Sequence, residues 1–198
     1  MKLLLPIQIL FVGILLMGTT NTCFSQEGKA FEKGDISVNM GMSFGLIGYN
    51  YGYGSRSFPI PISANVEYGI NEYIGLGGYV GYLGVRYGNT GNDTKFRSYS
   101  FGVQGIFHGS TLLNEVLGLG IEDTKVDYYA KLLLGFETYK WKYEGNPYYN
   151  FYNESNGTRA VFGPALGARY LFSPNFGAYI EGGRGAFGWI TLGASLKF

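Results

Sequence analysis

The chain is poor in most of what reactive sites are built from. It has one cysteine, Cys23, and one histidine, His108. A disulfide framework and a thiolate nucleophile in the exported chain are therefore excluded, and a zinc site is disfavoured. No HExxH, CxxC or phosphate-loop pattern occurs. Net charge is also missing: Lys and Arg total 15 against 14 Asp and Glu. That balance argues against a nucleic-acid surface, which needs a basic excess. A long apolar run occurs only at the start. Leu3–Met17 follows Lys2 and precedes the polar Gly18–Thr22 and then Cys23-Phe24-Ser25. It is shorter than the ~20 residues of a spanning helix and reads as a signal peptide, Met1–Ser25, cleaved before Gln26. The alternative, a lipid-bearing Cys23, lacks the usual residues in front of it, where Thr20-Asn21-Thr22 stands. Residues 26–198 are then one domain, without an internal repeat or linker.

What is abundant is glycine (33), tyrosine (18) and phenylalanine (15). The glycines alternate with apolar residues in period-2 runs, the pattern of strands with one oily face. Trp189–Phe198 is the clearest. Ile190, Leu192, Ala194, Leu196 and Phe198 lie on one face, and Thr191, Gly193, Ser195 and Lys197 on the other. Trp189 and the final Phe198 suit aromatic girdles at the two edges of a bilayer. Further strands are expected at Ile36–Leu46, Ile60–Ile70, Tyr73–Tyr87, Phe96–His108, Val126–Phe136, Phe162–Phe172 and Phe176–Gly183. The Val126 strand is expected to continue through Tyr139, Trp141 and Tyr143. In Tyr73–Tyr87 the inward positions read as largely glycine, which relieves crowding inside a narrow barrel. The sum is an all-β, transmembrane, antiparallel up-and-down barrel of eight strands.

Connectors at 71–72, 109–125 and 173–175 would share the periplasmic side. Loops at 47–58, 88–95, 144–158 and 184–188 would face outward. Within 109–125, Leu112, Leu113, Val116 and Leu117 recur at helical spacing behind Ser110 or Thr111 as a cap. They predict a short amphipathic helix at the membrane edge.

The strand phase sends Glu67, Glu137 and Glu181 inward against Lys131, Arg169 and Lys197. Arg169 and Glu181 flank the 173–175 turn within side-chain reach. Glu67, Lys131, Arg169 and Glu181 are the expected lumen network, filling a space that has room only for side chains. Glu137 and Lys197, near strand ends, would be solvated. Catalysis by His108 would need a hydroxyl such as Ser110 beside it and an orienting carboxylate. Recognition falls instead to Tyr51, Tyr53, Tyr148, Tyr149, Phe151 and Tyr152, set among Asn, Gly and Ser in the outer loops.

One hairpin carries a more specific signal. Gly163-Pro164-Ala165-Leu166-Gly167-Ala168-Arg169-Tyr170, an Asn-bearing turn, Tyr179-Ile180-Glu181-Gly182 and the terminal Lys197-Phe198 together resemble the small outer-membrane β-barrel family common in Bacteroidetes. In architecture that family is akin to the OmpA N-terminal domain and the OmpX group. The resemblance implies a Gram-negative outer-membrane address, with membrane lipid as a partner. It implies that Phe198 is read by the barrel-assembly machinery, and it supplies no catalytic residue. The helix-bearing connector departs from the short turns of the OmpA and OmpX group.

The expectation is a monomeric, non-enzymatic barrel with a filled lumen. It would need no cofactor, metal or nucleic acid, and would meet a ligand or host surface through its loops. Two other readings stay open. One is a narrow, porin-like channel for ions or small solutes. The other is a secreted, lipocalin-like carrier, whose outer face should be polar.

Overall fold

The computed structural model describes residues 28–46, 60–89, 92–144 and 155–198. Eight strands close in chain order into a barrel in which β1 pairs with β8. They are β1 (Ile36–Leu46), β2 (Ile62–Gly69), β3 (Ile74–Asn89), β4 (Asn92–His108), β5 (Val126–Glu144), β6 (Ser155–Ser173), β7 (Phe176–Gly183) and β8 (Gly188–Lys197). Every pairing is antiparallel. A helix, α1 (Ser110–Leu117), joins β4 to β5.

Period-2 alternation sets the two surfaces. Large apolar residues on every strand, among them Met42, Val66, Val80, Phe101, Leu134, Phe162, Ile180 and Leu192, are exposed on the outer wall. Ser37, Asn39, Asn65 and Gln104, with the charged Glu67, Asp127, Lys131, Arg169 and Glu181, are buried on the inner face. Three lumen tyrosines lie where glycine makes room: a Cβ on Gly135, Gly167 or Gly41 would overlap Tyr79, Tyr129 or Tyr179. The expected inward glycines of β3 are only part of that face, since Tyr79, Leu83 and Val85 are buried there too.

Four boundaries differ from expectation. The ladder of β3 and β4 runs through the predicted loop 88–95, down to the pair Asn89 and Asn92. β5 runs on to Glu144, paired there with β4, and Ser155–Thr158 of β6 join the β5–β6 ladder. Beyond an apolar belt both faces of a strand are wetted, so alternation fades although backbone pairing continues. β2 is shorter than predicted, and Pro61, with no N–H to give, lies just before it. The helix is capped by the Gly109 backbone, not by Ser110 or Thr111. Ser110 lies inside the helix, where its Oγ accepts the Tyr128 N–H at 2.6 Å and ties α1 to β5. Polar Ser110 and Thr111 are buried, while Leu112, Val116, Leu117 and Leu119 face away from the barrel.

Candidate functional site

The lumen is filled in layers, beginning at the α1 end. There β2, β4, β5 and β6 bring Glu67, His108, Asp127 and Arg169 together, each side chain no more than 2% exposed. His108 Nε2 lies 2.6 Å from Glu67 Oε1 and Nδ1 2.9 Å from Asp127 Oδ2. Arg169 Nη2 reaches Glu67 Oε2 at 3.3 Å and Asp127 Oδ2 at 3.4 Å, and Nη1 donates to Ser37 Oγ at 2.8 Å. Two carboxylates thus face one guanidinium and one imidazole, and a protonated His108 would balance them. Buried ions survive only in such pairing.

This cluster is covered by a segment that alternation does not reveal. Residues Gly28–Asp35 fold across the barrel end, with Ala30 and Phe31 buried. The Phe31 ring stacks on His108 at 3.4 Å between centroids and 10° between planes. The Ala30 N–H donates to Asp123 O at 2.6 Å, and Gly34 N–H to Gly69 O at 2.8 Å. Lys197, expected inward or solvated, closes this rim: its Nζ bonds Lys29 O at 2.6 Å and Asp35 Oδ2 at 2.9 Å.

One layer up, Lys131 pairs with Glu181, which also accepts the Tyr129 hydroxyl at 2.9 Å. Asn65 Oδ1 accepts from Asn39 at 2.8 Å and from Gln104 at 3.1 Å. Above these the filling turns to carbon. Tyr79, Leu83, Val85, Phe96, Leu133, Val161, Ala186 and Phe187 form one buried cluster. In the loop 184–188, expected on the outer side, Ala186 and Phe187 are buried and join this cluster. Gly81 accommodates them, since a Cβ there would come within 2.9 Å of Phe187. Beside this cluster, buried Glu137 takes Arg159 Nη2 at 2.8 Å and Ser98 Oγ at 2.9 Å, so it too is not solvated.

The four predicted lumen residues are all inside, but their pairing is not as the hairpin suggested. Arg169 stands opposite Tyr179 and Glu181 opposite Gly167, a diagonal relation. Arg169 reaches across the lumen to Glu67 and Asp127, and Glu181 is held by Lys131. In so narrow a cylinder the far wall competes with the neighbouring strand. His108 and Asp127 were not counted in the predicted network, although their inward phase on β4 and β5 was available. The triad reading fails on geometry: both His108 nitrogens face carboxylates, and Ser110 is bonded to Tyr128. The loop candidates Tyr51, Tyr53, Tyr148, Tyr149, Phe151 and Tyr152 lie outside the described residues.

Neither a protein-family model nor a curated protein sequence matches the chain. Solved structures do. The attachment invasion locus protein Ail of Yersinia pestis, in complex with the heparin analogue sucrose octasulfate, is similar with a TM-score of 0.55 and 19% identity, over 84% of this chain and 99% of that one. The N-terminal β-barrel domain of Pseudomonas aeruginosa OprF gives 0.49 and 15%, over 85% and 100%. Neisserial surface protein A gives 0.48 and 13%, over 82% and 94%. At these identities the likeness is one of fold: the chain has the closed, eight-stranded, up-and-down architecture of small outer-membrane barrels.

Proposed function

We propose that this chain is an integral outer-membrane barrel with a closed lumen, acting as a structural element or through its outward loops as a recognition surface. The carrying observation is the inversion of its surfaces: the oily side faces out, and the inside is polar, charged and packed. On β1, Ile36 to Phe44 covers roughly 26 Å of strand, or about 20 Å of height at a ~40° tilt, near the ~25 Å band of such barrels. Exposed Tyr68, Tyr128, Tyr170 and Phe176 rim the α1 end, while Tyr99, Phe136 and Trp189 lie towards the other. The α1 end, with the short turns, is then periplasmic, and α1 rests its Leu112, Val116 and Leu117 on the membrane edge. In this reading Met1–Ser25 is removed on export, Phe198 serves assembly, and the barrel is a monomer. The hairpin resemblance supports a Bacteroidetes-type member. The attachment role in the name of Ail gives the surface reading a precedent.

Fractionating native cells and running boiled and unboiled membranes on a gel tests the address. A boiling-dependent shift in the outer-membrane fraction is expected, and a soluble, unshifted protein would overturn the proposal in favour of a carrier. Planar-bilayer recording of the refolded protein tests the lumen. We expect no steady conductance, because ion pairs, Phe31 and Phe187 occupy successive heights. Regular single-channel steps would replace this reading with that of a narrow channel.

A further inference from the structure

Two independent contacts assign the charge of His108. Its Nδ1 lies 2.9 Å from Asp127 Oδ2 and its Nε2 2.6 Å from Glu67 Oε1. A neutral imidazole has one N–H and one bare lone pair, so one of the two carboxylates would face that lone pair. Only an imidazolium donates to both. The second contact is the ring above. Phe31 lies flat on His108, 3.4 Å between centroids and 10° between planes, which leaves almost no sideways offset. Two neutral rings avoid that sandwich and slide apart or turn edge-on. A cation centred over a phenyl face is attracted to it. The same proton therefore serves the pairing below the ring and the stacking above it.

The groups around His108 come from every element packed on it. Glu67 belongs to β2, Asp127 to β5 and Arg169 to β6. Tyr129 of β5 has its ring 5.9 Å away. At the rim stand Lys29, Glu32 and Asp35 of the covering segment, Glu72 after β2, Asp123 before β5 and Lys197 of β8. Lys197 is 2.9 Å from Asp35, and Lys29 3.6 Å from Glu72. Inside the rim, two carboxylates against one guanidinium leave one negative charge, which the imidazolium cancels. Without its proton that charge is stranded out of water, and the ring stack loses its attraction. Relief comes by admitting water, and the way in is past Phe31. A cavity of about 10 Å³, close to the least that holds one water, already lies there, lined by Lys29, Phe31, Glu72, His108, Asp123 and Asp127 among others. Only Ala30 and Phe31 of residues 28–35 are buried. Gly34, at φ +92°, is the glycine on which the residues before it can turn away from β1.

We infer that Gly28–Asp35 is a proton-operated strap, seated while His108 is an imidazolium and released when that proton leaves. The imidazolium is present at low pH and lost as pH rises, so the strap lets go on the alkaline side. Strong acid, which neutralises Glu67 and Asp127, removes the opposing charges and loosens it as well. The apolar half of the lumen stays packed throughout. Release therefore bares the ionic layer at one end without making a pore. The inference rests on the closed-lumen reading and adds its regulation.

The test is an NMR series on the full barrel, refolded in detergent micelles, from about pH 5 to about pH 9. The imidazole nitrogen shifts report the charge of His108. Exchange protection of the Ala30 amide, bonded to Asp123 O, reports the strap. Both should change with one midpoint, and protection, corrected for intrinsic exchange, should fall roughly tenfold or more as the proton leaves. Phe31→Leu fills the space without a ring face. It should move the His108 midpoint, because a strap that senses the proton must in turn act on it. His108→Gln should leave the Ala30 amide indifferent to pH where the wild type responds. A His108 that stays neutral or stays charged across the series would overturn the inference. So would protection that ignores the His108 titration, an unmoved midpoint in Phe31→Leu, or a pH response that survives in His108→Gln. Loss of the response in Lys197→Gln, with His108 titrating as before, would hand the switch to the pair of Lys197 and Asp35. Should His108→Gln fail to shift on boiling, Phe31→Leu and the wild-type series decide the matter. Steady conductance would sink the closed-lumen reading, and a protein that never shifts on boiling the membrane reading, both failures distinct from any of these.

Discussion

Towards α1 the lumen is filled by charge, and towards the long strands by carbon. Glu67, His108, Asp127 and Arg169 hold one another at 2.6–3.4 Å under Phe31. Leu83, Phe96, Val161 and Phe187 pack as a soluble core does. The two halves fill the same cylinder, but they fail differently. An ionic layer depends on every partner being present, because one deletion strands a charge out of water. An apolar layer loses only the contacts and volume of the group removed. The ionic half is also closed from outside by a separate backbone segment, and the apolar half by the loop before β8.

The largest effect is expected from Arg169→Ala, which leaves Glu67 and Asp127 without their guanidinium and should cost about 3–5 kcal/mol. Urea unfolding in detergent, followed by the boiling shift, measures it. Adding Glu67→Gln and Asp127→Asn to Arg169→Met should recover most of that loss. If it does not, charge is not what makes this half fragile. Leu83→Ala should cost about 2–5 kcal/mol in the same assay. Leu83 belongs to the apolar cluster and Arg169 to the ionic one, so Leu83→Ala should add to Arg169→Ala within ~0.5 kcal/mol. Strong coupling between them would mean the two halves are one unit.

Ser98→Ala, which removes a donor to Glu137 while Arg159 keeps its bond, should cost about 1–2 kcal/mol. The smallest global effect belongs to Phe31→Ala. The ring lies on the cluster and not in the ladder, so the unfolding midpoint should hardly move. The amides of Ala30 and Gly34, bonded to Asp123 and Gly69, should exchange faster with solvent deuterium. A large fall in the midpoint would make residues 28–35 a structural part of the barrel wall.

Alternation was enough to read most of the wall. Phe176–Gly183 falls where the pattern puts it, and the outward faces of β1, β5 and β8 are as the residues indicate. The loops were less legible. GNTGNDTK between Tyr87 and Phe96 is turn-like by composition, yet most of it pairs as strand, since wetted strand ends need no oily face. The segments 28–35 and 184–187 left no periodic trace at all. Their burial depends on where the barrel closes over them.

The one-dimensional chain therefore determined which way each strand residue faces, because side chains alternate every residue whatever the sheet does. It also determined that strand number is even and that polar residues fill the inside. Only the closed structure decided who meets whom: Arg169 with Glu67 and Asp127 but not with Glu181, Phe31 on His108, and Phe187 in one cluster with Leu83. Period fixes a face, whereas partners depend on inter-strand register and on the small radius that brings opposite walls within reach.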